Sequence, residues 1–469
     1  MASAQLTGRD GIRFTGTTAG TTRPAAALRA QADLAFHGAT VAPTSFTQAR
    51  ILAPGKAVSF TAPAGTPVQP YSAQGSLIVE AQDITQSGNV WASLGQLDFR
   101  ATNTLVFSNG SLTSVAAAPG SLLPFGKVQN GREWVVDLKP ELVPGGQQTI
   151  ESLDGKAIRT AGARVDQQAG ARFDLAGGGD LQAYEFTVGP GGSRDILADA
   201  NTYAILPGYS GGVAPADAQE KFDRASGEAV FLSGVPGLAD GVYTLLPAHY
   251  ALLPGAYAVK LDTGIQNVLP GRAYSRQDGV RVAAGYVTDT RAGAPRDANW
   301  QGVIVMTHDQ VRARSEFTLT KASDFFADSR NRPQDAGLMS VNTSGGGADA
   351  LKLDAIYDLA APDGRAAQVD ISALKLAVTS GAVAGFDSDT VVLDAADLNA
   401  LGAGSLLLGG TRSRSGDTTT LTVGADAVTL ANDAAHALEA GEVMLAAKNT
   451  LTLKAGSAID SQGAAGDAG

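Results

Sequence analysis

Apolar and polar residues alternate along most of this chain in short runs separated by Gly, Asn, Asp and Ser. Ile12–Phe14, Leu34–Phe36, Val58–Phe60, Leu77–Val79, Leu97–Phe99 and Leu105–Phe107 mark the first part. Leu351–Ile356, Val369–Ile371, Leu374–Val378, Val391–Leu393, Leu406–Leu408, Leu421–Val423, Val443–Leu445 and Leu451–Leu453 mark the last. A period of two residues bounded by turn formers predicts strands with one buried face.

These runs repeat one another. Gly95–Ala117 (GQLDFRATNTLVFSNGSLTSVAA) recurs without a gap as Gly441–Gly463 (GEVMLAAKNTLTLKAGSAIDSQG), with Gly95/Gly441, Ala101/Ala447, Asn103/Asn449, Thr104/Thr450, Leu105/Leu451, Gly110/Gly456 and Ser111/Ser457 identical. A looser copy begins at Gly75. Each copy reads as a strand, a small or amide corner, a second strand, a Gly turn and a third short strand. That is the pattern of one turn of a β-solenoid, whose inward side chains stack on their equivalents above and below. Leu97, Phe99, Leu105 and Phe107 are expected to point inward, as are Val443, Leu445, Leu451 and Leu453.

Two segments break the rhythm. LPFGKVQNGREWVVDL reads as a hairpin carrying Trp134, which places a protrusion near 121–160. Residues 187–330 concentrate tyrosines, Trp300 and prolines between strands, with Tyr-x-[Ile/Leu]-Leu-Pro at Tyr203–Pro207, Tyr243–Pro247 and Tyr250–Pro254. Pro between strands blocks further ladder pairing and suits a small antiparallel sandwich. The expected fold is therefore all-β: right-handed parallel β-helix over 1–186 and 331–469, with an inserted sandwich-like β domain at 187–330. Linkers are expected near Gly189–Gly192 and Asn331–Pro333.

Composition refines this picture. Gly supplies 57 of 469 residues, in keeping with many tight corners, and aromatics only 6 %, which predicts a core of Leu, Val, Ile and Ala rather than large rings. A net charge of −11 with no long basic run sets nucleic acid aside as a partner. The absence of cysteine suits export through an oxidising compartment. No apolar run reaches the roughly 18 residues of a membrane span, and the opening residues hold no signal-peptide core. Mid-pattern sequence directly after Met-Ala-Ser reads as an internal piece of a longer chain.

Candidate chemistry is sparse. Gly208-Tyr209-Ser210-Gly211-Gly212 fits G-x-S-x-G, where Asp217–Arg224 would form the helix after the nucleophile and His249 or His308 the base; a Gly-rich surface turn gives the same letters. Gly120–Lys127 is one residue too long for a phosphate loop, with Val128 in place of its Ser/Thr. Gly177–Asp180 and Gly345–Asp349 have the letters of single calcium turns or of plain corners. Asp387 and Asp389 share a strand face, as a carboxylate pair for glycan cleavage or as solvated charges. His37, His249, His308 and His436 show no metal-ligand spacing. No catalytic residue, metal or cofactor is therefore expected. Tyr203, Tyr243, Tyr250 and Trp300, with Tyr257, are candidate ligand contacts as a platform for a sugar ring; the alternative is that they pack the insert's own core.

LPFGKVQNGREW, ARFDLAGGGDLQAYEF, the paired YTLLP and YALLP, and VTLANDAAHALEAGEVMLAAKNTLTLKAGSAID together resemble the filamentous-haemagglutinin family, the adhesin exoproteins of bacterial two-partner secretion. The resemblance spans most of the chain. It implies a secreted, non-enzymatic β-helix shaft at the bacterial cell surface. Such a shaft is exported by an outer-membrane two-partner secretion transporter and binds a host or bacterial surface glycan or receptor. The family's N-terminal secretion domain, which would engage that transporter, has no counterpart here. Two further readings stand beside this one: a β-helical polysaccharide lyase or hydrolase, and the stick of a contact-dependent growth-inhibition toxin.

Overall fold

The computed structural model describes residues 2–20, 22–139, 141–143, 145–190, 192–216, 224–290, 299–381, 385–415, 418–461 and 463. The chain is all-β and its sheets are mostly parallel. The longest path of strands runs Ser3–Gly8, Asp33–Gly38, Gln48–Thr61, Ser76–Ser87, Gln96–Ala101, Ala157–Gly162, Leu338–Thr343, Gln368–Ser372, Ser405–Leu408 and Glu442–Leu445. Every neighbouring pair on it is parallel. The register carries the hydrophobic pattern across the strands: Ala49, Leu77, Leu97, Ile158, Met339, Val369, Leu406 and Val443 stand side by side. All of these except Val443 are buried.

A second parallel sheet, Ile12–Phe14, Val41–Pro43, Asn89–Trp91, Leu112–Ser114, Arg172–Asp174 and Ile356–Asp358, faces the same core. The repeat glycines have physical work in this arrangement. A Cβ on Gly95 or Gly441 would collide with the carbonyl oxygen of Gly75 or Gly404 in the adjacent segment. Gly110 and Gly456 take φ of 79° and 85° at their turns, a region that only Gly enters at low cost.

The expectation of a core without large rings is overturned. Phe14, Phe36, Phe60, Phe99, Phe107, Phe173 and Tyr357 form one continuous ladder, with successive centroids 4.7–6.3 Å apart. Parallel pairing repeats a side-chain position at each strand spacing, so a few rings suffice to reach one another from segment to segment. Leu97, Phe99, Leu105 and Phe107 are wholly buried. Leu451 and Leu453 are not: they remain 50 % and 60 % exposed. Their strand, Thr450–Leu453, pairs with Ala427–Ala431 on one side, and no described strand pairs with it on the other.

The hairpin Leu122–Gln129 and Glu133–Asp137 joins Gln147–Thr149, Asp180–Phe186 and Phe317–Lys321 in a five-stranded mixed sheet. Trp134 is buried beside Phe325 and Phe326. Ala157–Gly162, expected at the end of the protrusion, instead lies in the long parallel path.

Between residues 202 and 307 the described strands form one seven-stranded antiparallel sheet, ordered Thr202–Ile205, Tyr257–Lys260, Gln301–Thr307, Arg281–Asp289, Glu228–Ser233 and Gly241–Thr244, with Ala273–Ser275 added on Arg281–Asp289. One face is covered in part by the segment's own Tyr250, Leu252 and Leu253 and in part from outside this range. Ala204, Ala258 and Met306 share a buried cluster with Tyr71, Leu122, Tyr184, Phe317 and Leu319, so the mixed sheet packs beneath it. Phe317–Lys321 therefore pairs with Asp180–Phe186 although it lies inside the segment expected to be an independent insert. The expected linker at Asn331–Pro333 is also pinned: Asn331 Nδ2 donates to Leu153 O at 2.9 Å, and Pro333 O accepts from Lys156 Nζ at 3.1 Å.

Candidate functional site

On the antiparallel sheet, Val230 and Leu232 turn to one buried face and Phe231 between them to the other. Phe231 sits directly opposite Tyr286 on the neighbouring strand, with their rings stacked at 5.0 Å and 8°. Trp300, just ahead of strand Gln301–Thr307, sets its ring edge-on to both, 5.8 Å from Phe231 and 5.1 Å from Tyr286. All three rings are half-buried. An aromatic group fixed by its own neighbours and partly open to water offers flat apolar surface at small conformational cost, which suits the CH face of a sugar ring.

Of the four aromatics singled out by sequence, only Trp300 belongs to this group. Tyr203 and Tyr250 are 4 % and 1 % exposed, so neither is a surface contact. The Tyr203 hydroxyl accepts from Arg224 Nε at 2.7 Å, and Tyr250 packs against Tyr71 and His249. Tyr243 is half-buried and donates from its hydroxyl to Ala239 O at 2.5 Å; burial pushes its phenol above the usual value. The expected platform is therefore dispersed, because its tyrosines serve two separate packing clusters on opposite sides of the sheet. Phe231 and Tyr286 are not legible in the sequence, since AVFLS and AAGYV are continuous small or apolar runs, in which alternation does not reveal the outward residue.

The other motifs resolve into local structure. Tyr209 closes a turn on Leu206 and donates from its hydroxyl to Val213 O. His249 stacks on Tyr184 at 5.8 Å and meets Tyr250 edge-on at 4.8 Å, and His308 Nδ1 lies 3.3 Å from Ala251 O. The helix expected over Asp217–Arg224 falls, except for Arg224, outside the described residues. Lys127, in the phosphate-loop look-alike, is on a strand and pairs with Asp137. The Asp180 carboxylate accepts from the backbone N–H groups of Leu181 and Ser323. Lys375 Nζ sits between Asp387 at 3.2 Å and Asp389 at 2.9 Å, and its hydrogen bond holds the Asp389 carboxyl below the usual range.

Among the described residues no group of His, Asp and Glu has the proximity to hold a metal ion, and no helix is long and apolar enough to cross a membrane. No protein-family model, curated protein or solved structure matches the chain.

Proposed function

We propose that this chain is a non-enzymatic surface-binding protein: a right-handed parallel β-helix shaft that carries an antiparallel β domain for attachment. The register from Ala49 to Val443 carries this reading. It sets one row, buried from Ala49 to Leu406 and half-buried at Val443, across segments almost four hundred positions apart, as a stack of like units requires. A stack fixed along its whole length is a rigid support. The half-buried Phe231, Tyr286 and Trp300 lie on the part that departs from it, where a recognition surface is best presented. The sequence resemblance adds secretion through an outer-membrane two-partner transporter and a place at the bacterial surface as adhesin. Attachment of the labelled chain to bacterial and host cells and to a glycan array tests the reading, with Trp300→Ala and Phe231→Ala as weakened variants. Release of reducing ends or unsaturated products from polysaccharides would overturn it in favour of an enzyme.

A further inference from the structure

The long parallel sheet carries a cleft of about 940 Å³ at the start of its strands, in the range of ligand sites. It meets the first residues of Gln96–Ala101, Ala157–Gly162, Leu338–Thr343, Gln368–Ser372 and Ser405–Leu408, and it takes in residues 151–156, 328–332, 335–337 and 362–366. Five adjacent strands span roughly 20 Å at about 4.8 Å each. The cleft is therefore long in the direction perpendicular to the strands.

Its chemistry is built around one saturated carboxylate. Asp335 is buried and accepts from the backbone N–H of Arg332 at 3.0 Å and from Arg332 Nη2 at 3.3 Å. It also accepts from the N–H of Arg365 at 2.9 Å, from Arg365 Nε at 3.2 Å and from Arg365 Nη2 at 2.8 Å. Beside it, the buried Lys156 ammonium donates to Ala176 O at 2.7 Å and Pro333 O at 3.1 Å. Two guanidiniums thus converge on the Asp335 carboxylate, and the Lys156 ammonium stands between Asp335 and Asp174, so the cations gather on the floor of the cleft. Arg159 extends the row: its Nη1 donates to Gln96 Oε1 at 3.1 Å. Each guanidinium carries five N–H donors, and these contacts use only part of them.

At the rim stand Glu151, Asp328 and Asp363, all exposed, and the half-buried Asp154, which is ion-paired to Arg23. They oppose a densely charged polyanion but tolerate a chain with one charge per unit. No aromatic ring lines the cleft, so recognition there rests on hydrogen bonds and charge. A pyranose chain advances by about one strand spacing per sugar, which lets successive sugars meet successive strands. We infer that this cleft binds a carboxylate-bearing glycan laid across the strands, its uronate groups held by Arg159, Arg332 and Arg365. Planar guanidinium forks match carboxylates in two-point contact.

This inference rests on the reading of the chain as a surface-binding protein, and titration calorimetry on the full chain separates the two. The probes are galacturonate oligomers, dextran oligomers as the neutral chain and heparin oligomers as the densely sulfated one. Galacturonate oligomers should bind saturably and dextran should not. Arg159→Gln, which leaves the Asp335 cluster intact, should weaken binding by roughly tenfold, the loss of about one charged contact. Asp363→Asn should strengthen it, an effect that a merely structural role would not give. Binding of galacturonate that neither variant alters, tighter binding of heparin, or no galacturonate binding at all would each overturn the inference. If the unmodified chain still attached to cells in those cases, the surface-binding reading would survive and only the cleft assignment would fall.

Discussion

Arg412 closes on Asp370 as a buried ion pair, with side chains 5 % and 0 % exposed and Nε 2.7 Å from Oδ1. The Arg412 backbone N–H reaches Oδ2 of the same carboxylate, and Nη1 donates to Ser405 Oγ at 2.7 Å. Arg412 belongs to the ribbon Gly410–Ser415 and Thr418–Val423, and Asp370 projects from the opposite side of the strand whose Val369 and Ile371 enter the core. The pair thus fastens the ribbon over the outer face of the parallel sheet.

Removing one partner should cost far more than removing both. Arg412→Met leaves a buried carboxylate without its counter-charge and should lower stability by about 3–5 kcal/mol, whereas Arg412→Met with Asp370→Leu should recover most of that loss. Denaturant unfolding of the three proteins checks it. Burial already raises the Asp370 carboxyl against the opposing pull of Arg412. A folded-state value above the unfolded one costs stability at high pH, and the cost lifts as pH falls through the folded value. The deficit of Arg412→Met should therefore shrink on acidification.

The ring ladder should respond by position. Phe60→Ala and Phe107→Ala remove wholly buried rings that touch a neighbour on each side, and each should cost about 3–5 kcal/mol. Phe14 is half-buried at the end of the ladder, so Phe14→Ala should cost clearly less. Leu105→Asp should cost at least as much as the central rings, since it buries an unpaired carboxylate. Equal melting of all four variants would show that these side chains do not share one core.

Lys156 predicts an alkaline rise in stability. Burial lowers its ammonium to about 8, against an ordinary value of 10.5, with Asp335 and Asp174 pulling the other way. Between those two values the folded chain sheds a proton that the unfolded chain still holds, so stability should increase with pH across that window. Below it both states are charged, and this contribution is flat. Lys156→Met should abolish the slope, measured as the denaturant midpoint from pH 7 to 11.

Hydrogen exchange should grade along the stack. Gln96–Ala101 pairs on both sides and carries buried Leu97 and Phe99, so its amides should exchange slowly. Thr450–Leu453 pairs on one side and leaves Leu451 and Leu453 half open, so its amides should exchange fastest among the repeat strands. Equal protection of the two copies would contradict the burial difference between them.

Alternation made the inward rows legible, because Leu97/Phe99 and Leu105/Phe107 keep strict period two beside glycines that the repeat itself aligns. The ladder of rings was hidden by composition: 6 % aromatics is little overall, yet a single file needs few. The cover that the antiparallel sheet takes from outside its own range was hidden by distance, since Tyr71, Leu122 and Leu319 come from three remote segments. The same holds for the cleft. Nothing local to Gln96, Lys156, Arg332 or Arg365 announces that they meet; only the parallel register brings them together.

The pairing of Ala157–Gly162 with Leu338–Thr343 also has a kinetic consequence. These strands are immediate neighbours in the sheet, yet the whole antiparallel segment intervenes in the chain. Closing so long an unfolded loop carries an entropic cost that compaction of the intervening chain reduces. Growth of the stack should therefore pause only after Arg172–Asp174, which still pairs with Leu112–Ser114, until the intervening segment has collapsed, then resume at Leu338. The refolding rate of the C-terminal half is thus set by a part of the molecule that lies outside it.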